Sequence, residues 1–221
     1  MVEALLDDEA GADAMSTTAV GFDALMYAAI LGRADNIEAW LRYFPAWNLE
    51  RVGAVGNSAF GLALMLGARK LETVEVLLSA GADPTHINYA GATALMLAAS
   101  NIDTDAPLVR RLLKIPEVAK SIDAKNYPRT LKWRLIKSAS KVAAALGSNN
   151  AAVLAISNTH NSTALHYIVE ACSVTVMRVV VGEGGANKAS RNARGQTALD
   201  FAYEIYGGED ATPVEVVSAL R

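Results

Sequence analysis

The sequence predicts an all-α repeat solenoid: a row of short helical hairpins along a single array of 221 residues. Three observations predict it. Apolar residues make up 52% of the chain but aromatic residues only 6%, and alanine and leucine supply most of the apolar total, which favours closely packed helices. A short sequence phrase recurs along the chain. Two apolar positions recur with it at matching intervals, which is typical of repeat architectures.

The recurring phrase predicts the first helix of each hairpin. Residues 91–95, 161–165 and 195–199 all end in Thr-Ala-Leu. The threonine suits a helix N-cap, and the alanine and leucine suit the first turn behind it. The leucine position recurs at spacings of 37, 33, 36, 34 and 34 residues, at Leu25, Leu62, Leu95, Leu131, Leu165 and Leu199. One helix start about every 34 residues follows from this spacing.

A second phrase predicts the helix that completes each hairpin. A valine or isoleucine followed by apolar residues at i+3 and i+4 forms one face of a helix. This position recurs at Val2, Ile37, Val74, Val109, Val142, Val176 and Val214. Gly-Ala-Asp or a close variant follows some of these helices, where glycine supplies the C-terminal cap and a polar loop begins. The interval agrees with that of the first phrase.

These phrases divide the chain into about six repeats within one array, with partial repeats at both ends. The sequence at residues 2–6 resembles that at 74–78, so the chain begins inside a second helix. The fourth repeat is the weakest, because it has Arg129-Thr130-Leu131 in place of Thr-Ala-Leu. The predicted boundaries are 1–14 for the partial repeat and 21–53, 54–83, 91–125, 128–157, 162–187 and 195–221 for the six repeats.

Helix, turn, helix and hairpin loop at this period resemble the ankyrin repeat family. The best matches to its Gly-x-Thr-Pro-Leu-His-x-Ala-Ala phrase are residues 91–99, 162–169 and 195–202, with alanine in place of proline throughout. The resemblance implies binding of a partner protein through a concave surface, made by the loop tips and the exposed face of each first helix. Carried over by position, that surface comprises Phe22, Ile30, Leu31, Tyr89, Ser100, Asn101, His160, Arg194 and Gln196.

Charge is distributed unevenly along the chain. The net charge is −3, yet residues 1–50 carry −7 and residues 110–141 carry +8. Residues 131–141 read as a helix with Leu131, Leu135 and Ile136 facing inward. Its outward side is a predicted basic patch of Lys132, Arg134, Lys137 and Lys141. Such a patch steers an acidic protein partner; anionic lipid is a minor alternative, and a pI of 5.6 disfavours nucleic acid.

Catalytic and metal-binding patterns are missing from the sequence. His86 and His160 lie in loops two repeats apart, none of the three histidines is at ligand spacing from Cys172, and the Gly-rich stretch 182–185 lacks the lysine of a phosphate loop. The expectation is therefore a non-enzymatic chain without cofactor or metal. An acidic start and no apolar run of about 18 residues predict a soluble intracellular protein, in the cytoplasm, nucleus or an organelle interior.

Two functions follow from these expectations. The first is an adaptor or scaffold that recognises a partner protein through the concave surface. The second is a structural accessory subunit built permanently into a larger multiprotein assembly, which the apolar pair Ile30 and Leu31 and the lack of polar capping repeats favour.

Overall fold

The computed structural model describes residues 13–68, 70–147, 150 and 160–221, and every regular element within them is helical. The predicted partial repeat at 1–14 lies almost wholly outside the described residues. The chain forms two compact units, residues 1–86 and 87–221. The helices are α1 Ala24–Ile30, α2 Ala34–Tyr43, α3 Ala59–Leu66, α4 Lys70–Ser79, α5 Ala94–Ala99, α6 Ala106–Leu113, α7 Pro116–Lys120, α8 Leu131–Ala145, α9 Ala164–Glu170, α10 Val174–Arg178, α11 Ala198–Tyr206 and α12 Val214–Leu220.

The N-terminal unit contains two helical hairpins, α1 with α2 and α3 with α4. The first helices α1 and α3 pack against each other, and so do the second helices α2 and α4. Asp23 caps α1 by accepting a hydrogen bond from the Met26 N–H at 2.9 Å, and Ser58 caps α3 in the same way. The anchor residues of both recurring phrases are buried, at Leu25, Ile37, Leu62 and Val74.

The described part of the C-terminal unit contains three hairpins, α5 with α6, α9 with α10, and α11 with α12. Here α9 packs between the first helices α5 and α11, and α10 contacts both α6 and α12. Thr197 caps α11 in a reciprocal capping box with Asp200, and α10 continues into a π-helical turn at Val179–Glu183. The anchors Leu95, Val109, Leu165 and Val176 are buried as predicted.

Three hairpin loops in this unit are closed by the same pair of hydrogen bonds, each around a buried asparagine. The Asn88 N–H donates to the Ala92 carbonyl at 3.2 Å, and the Ala92 N–H donates to Asn88 Oδ1 at 2.9 Å. Asn192 makes both bonds with Gln196, at 2.9 and 3.1 Å. Asn126 makes both with Ser162, at 3.1 and 2.8 Å. Residues 89–91 join Asn88 to Ala92. Asn126 and Ser162 are instead joined by residues 127–161, named here the inserted segment.

The predicted fourth repeat, 128–157, differs from the others because it falls inside the inserted segment. Its described helix, α8, makes no extensive contact with the other described helices, while α5 packs directly on α9. The predicted anchors Leu131 and Val142 are 71% and 60% exposed. The bonds between Asn126 and Ser162 close the loop without this segment, so α9 occupies the place beside α5 that α8 would need.

Each of the other five predicted repeats contains a helical hairpin. Two departures remain at their edges: Val214, an anchor of the second phrase, is 73% exposed, and α7 is an additional helix after α6. At the C-terminal end, Val216, Ala219 and Leu220 form the buried face of α12 instead. The predicted helix therefore forms there with its contact face shifted by two residues.

Candidate functional site

In the N-terminal unit the predicted partner-binding residues lie along α1. Phe22 is half-buried and packs edge-on against Tyr27, with ring centroids 6.0 Å apart and the planes at 77°. Ile30 is half-buried, and Leu31 is 60% exposed directly after the helix. The structure therefore brings Phe22, Tyr27 and Leu31 to the exposed side of one short helix.

A fourth apolar side chain of the same kind, at Leu66, was missed by the sequence reasoning. Leu31 lies eight positions after the N-cap Asp23, and Leu66 lies eight positions after the N-cap Ser58. Leu66 is 49% exposed, and its helix α3 packs against α1. Counting from the two caps would have found it. Equivalent positions on adjacent first helices thus both present leucine to solvent.

The tip of the first loop in the C-terminal unit carries Tyr89, and the turn after α5 carries Ser100 and Asn101. Tyr89 is half-buried, and its carbonyl accepts a hydrogen bond from the Arg129 N–H at 2.9 Å. The Ser100 hydroxyl donates to the Leu97 carbonyl at 2.8 Å, and Asn101 Oδ1 accepts from the Asp103 N–H at 2.9 Å. The polar groups of Ser100 and Asn101 thus shape the turn between the helices.

The last loop tip holds a fixed polar arrangement around Glu204. Arg194 Nη2 and Gln196 Nε2 donate to the same Glu204 oxygen, at 2.7 and 2.6 Å. Burial acts to raise the pKa of the Glu204 carboxyl, but these hydrogen bonds and the charge of Arg194 outweigh it, so the pKa is lowered. The predicted loop residues Arg194 and Gln196 are therefore held in place by Glu204, which lies on α11.

The buried histidine His166 joins two neighbouring hairpins. Its Nδ1 accepts from the Thr163 N–H at 3.3 Å, and its Nε2 lies 3.0 Å from the Gln196 carbonyl, so the proton resides on Nε2. Burial lowers the pKa of His166, against the opposing effect of the Gln196 bond. This neutral imidazole links backbone groups of the two hairpins.

The structure exposes three residues of the predicted basic patch and buries the fourth. Lys132, Arg134 and Lys141 are exposed along α8, but Lys137 is only 3% exposed. The helix presents Leu131 and Leu135, predicted to face inward, to solvent. Because α5 packs on α9, no described helix packs extensively over these leucines, and the Lys137 side of α8 faces a pocket instead.

That pocket has a volume of about 320 Å³ and lies wholly within the inserted segment. Its lining is Tyr127, Pro128, Arg134, Lys137, Ser138, Lys141 and His160. Burial, with the nearby charge of Lys141, lowers the pKa of Lys137 to about 8. Burial and the charges of Lys141 and Lys137 also lower the pKa of His160. The structure therefore gathers His160, predicted as a loop-tip residue, with the basic residues of α8.

Comparison with models of known protein families gives no match, and no curated protein matches the sequence. Within the described residues, no group of three histidine, cysteine, aspartate or glutamate side chains could hold a metal ion. The same part of the chain contains no helix of the length and apolar character needed to cross a membrane. The two surfaces that stand out are the apolar one on α1 and α3 and the basic pocket beside α8.

Proposed function

We propose that this chain is an ankyrin-type, non-enzymatic module that binds a partner protein through the exposed sides of its first helices and its loop tips. The repeated order of capped first helix, second helix and asparagine-closed loop supports the repeat-array part of the proposal. An intracellular location belongs to it, since one cysteine in 221 residues leaves no disulfide to hold the fold outside the cell.

The observation that carries the proposal is the pair of exposed leucines on adjacent helices of the N-terminal unit. Leu31 and Leu66 occupy equivalent positions, 60% and 49% exposed, and Tyr27 adds an aromatic ring 42% exposed. Removing apolar surface of this kind from water is favourable, and aromatic residues in such patches dominate protein–protein contacts. A partner with an apolar, helix-sized ridge suits this surface.

Affinity purification of the tagged full chain from its native cell, with partners identified and quantified by mass spectrometry, tests the proposal. The double variant Leu31→Lys, Leu66→Lys should lose the main partner at least tenfold, because it places two charges in the contact. Val214→Lys is the matched control, since Val214 is also exposed but lies on the last second helix, α12. Equal recovery with the double variant and wild type would overturn the proposal.

The alternative is a subunit built permanently into a larger assembly, and one observation favours it. Leu131, Leu135 and Val142 on α8, and Leu146 just after it, are all exposed. Their spacing places them within one face of the helix. Two results would select this alternative. The partners would stay bound at a constant ratio in high salt, and they would be lost with Leu135→Lys but kept with the double variant at Leu31 and Leu66.

A further inference from the structure

The geometry of the pocket beside α8 points to a second binding activity, separate from partner-protein binding: we propose that it binds the phosphate group of a small phosphorylated molecule. The pocket is enclosed by α8 on one side and by residues from both ends of the inserted segment, Tyr127, Pro128 and His160. The proposal stands on which polar atoms are buried there, which charges surround them, and how much space they enclose.

The first argument is a buried amine without a partner. Lys137 is 3% exposed, and its Nζ makes no hydrogen bond with any group in the described part of the chain. Nδ1 of His160, which lines the same pocket, is likewise buried without a partner. Buried polar groups are nearly always hydrogen-bonded, because leaving one unpaired costs free energy. Two such groups in one pocket indicate a ligand that supplies oxygen acceptors to both.

The second argument is the sign of the charge. Arg134, Lys137 and Lys141 all line the pocket, and no acidic side chain is among the described residues that line it. The other polar residues of the lining are Tyr127, Ser138 and His160, whose side chains form hydrogen bonds and add no negative charge. Three basic side chains around one pocket attract an anion, and Lys137, the buried one of the three, has no acidic group beside it among the described lining residues.

The third argument selects phosphate and a small molecule. Three cations match the double negative charge of a phosphate monoester better than the single charge of a carboxylate, and the Arg134 guanidinium suits phosphate oxygens geometrically. A volume of about 320 Å³ lies at the lower end of small-molecule pockets and exceeds what inorganic phosphate alone would fill. Tyr127 and Pro128 offer apolar contact to the remainder of the molecule.

Calorimetric titration of the full chain with inorganic phosphate and with phenyl phosphate, at constant ionic strength, tests the proposal. Both should bind, phenyl phosphate more tightly because its ring contacts Tyr127 and Pro128. Lys137→Met keeps an unbranched side chain that is one atom shorter and removes its charge, and should weaken binding at least tenfold. Lys132→Met is the matched control on the same helix, exposed and outside the pocket, and should bind like wild type.

Two further measurements guard against an indirect effect of the substitution. Arg134→Met, at an exposed position on the rim, should weaken phosphate binding several-fold without removing a buried group. In an NMR titration, phosphate should raise the pKa of Lys137 from its lowered value, because an anion favours the charged amine.

Three results would overturn the proposal. Equal binding of phosphate by wild type and Lys137→Met would show that the buried amine is not a ligand. Acetate binding as tightly as phosphate would show only a diffuse attraction for anions. A glutamate-rich peptide that binds at this pocket while both phosphates fail would replace the small molecule with an acidic protein segment.

Discussion

Two loops of the C-terminal unit close with the same hydrogen bonds but differ in what connects their sides. Asn88 and Ala92 are joined through residues 89–91, and Asn126 and Ser162 through residues 127–161. In both loops, the asparagine N–H and Oδ1 form hydrogen bonds with the backbone of the residue that closes the loop, Ala92 or Ser162. The first helix of the following hairpin, α5 or α9, begins two residues later. The base of the loop, and not the length of its tip, therefore sets the position of the following hairpin.

The helical hairpins and the inserted segment also bury different kinds of side chain. The helical hairpins beside the loops bury their leucine and valine anchors, as at Leu95 and Leu165. The inserted segment exposes Leu131 and buries the amine of Lys137. A helix such as α8, which exposes its leucines and lines a basic pocket, is better explained by binding than by stability.

The largest loss of stability is expected from a substitution at Gly91, which lies against Tyr127 at the start of the inserted segment. Gly91 has φ +85°, and a Cβ there would collide with the backbone of Tyr127. Gly91→Ala should lower the free energy of unfolding by about 4 kcal/mol, since strain adds to a clash with rigid backbone. Gly195→Ala is the matched control: its φ is +76°, but nothing lies within 4 Å of the added Cβ, so only about 1 kcal/mol is expected.

Urea denaturation followed by circular dichroism measures both variants. Similar losses at the two glycines would mean that the Tyr127 backbone does not pass against Gly91. The two loops would then differ more than their shared hydrogen bonds indicate.

The sequence predicted the five helical hairpins because their signals are local. A threonine, serine or aspartate cap followed by an apolar turn is specified by adjacent residues, as at Thr197. The inserted segment satisfied the same local rules: Thr130 Oγ1 accepts from the Trp133 N–H at the start of α8. The repeat period therefore predicted a helix that does form, α8, but α8 does not pack among the helical hairpins.

What the sequence could not provide was the partner of Asn126. Asn88 and Asn192 each stand five residues before a capping threonine, but Asn126 bonds Ser162, directly before Thr163. That choice depends on long-range packing of α9 against α5. For the basic residues, periodicity placed the lysines of α8 on the outward side of a helix, but it predicted neither a pocket nor the side of α8 that faces His160.

A smaller effect tests the burial of Lys137 within the inserted segment. Burial lowers its pKa from 10.5 to about 8, so the unfolded chain binds an extra proton between these values and stability rises with pH across that window. Below it, the lowered pKa costs about 3 kcal/mol. Lys137→Met removes this cost, and without phosphate it should be more stable than wild type at pH 7, with the difference shrinking towards pH 10.

Denaturation of both proteins from pH 6 to pH 10 in phosphate-free buffer measures the difference. Lys132→Met, at an exposed position of the same helix, should show no such pH-dependent gain. A constant difference between Lys137→Met and wild type at all pH values would contradict a buried, titrating amine.

The smallest effect tests the comparison of the two loops directly. Replacing residues 127–161 with Tyr-Ala-Gly, the sequence of residues 89–91, gives Asn126 and Ser162 the short connection of the first loop. Closing the longer loop costs about 2 kcal/mol more entropy, so the shortened chain should fold and gain stability of that order. It should also lose phosphate binding, because the whole pocket is removed, while keeping the protein partner proposed to bind at Leu31 and Leu66. If residues 128–157 were instead a repeat within the row, their removal would expose α5 and α9, and the shortened chain would lose cooperative unfolding altogether.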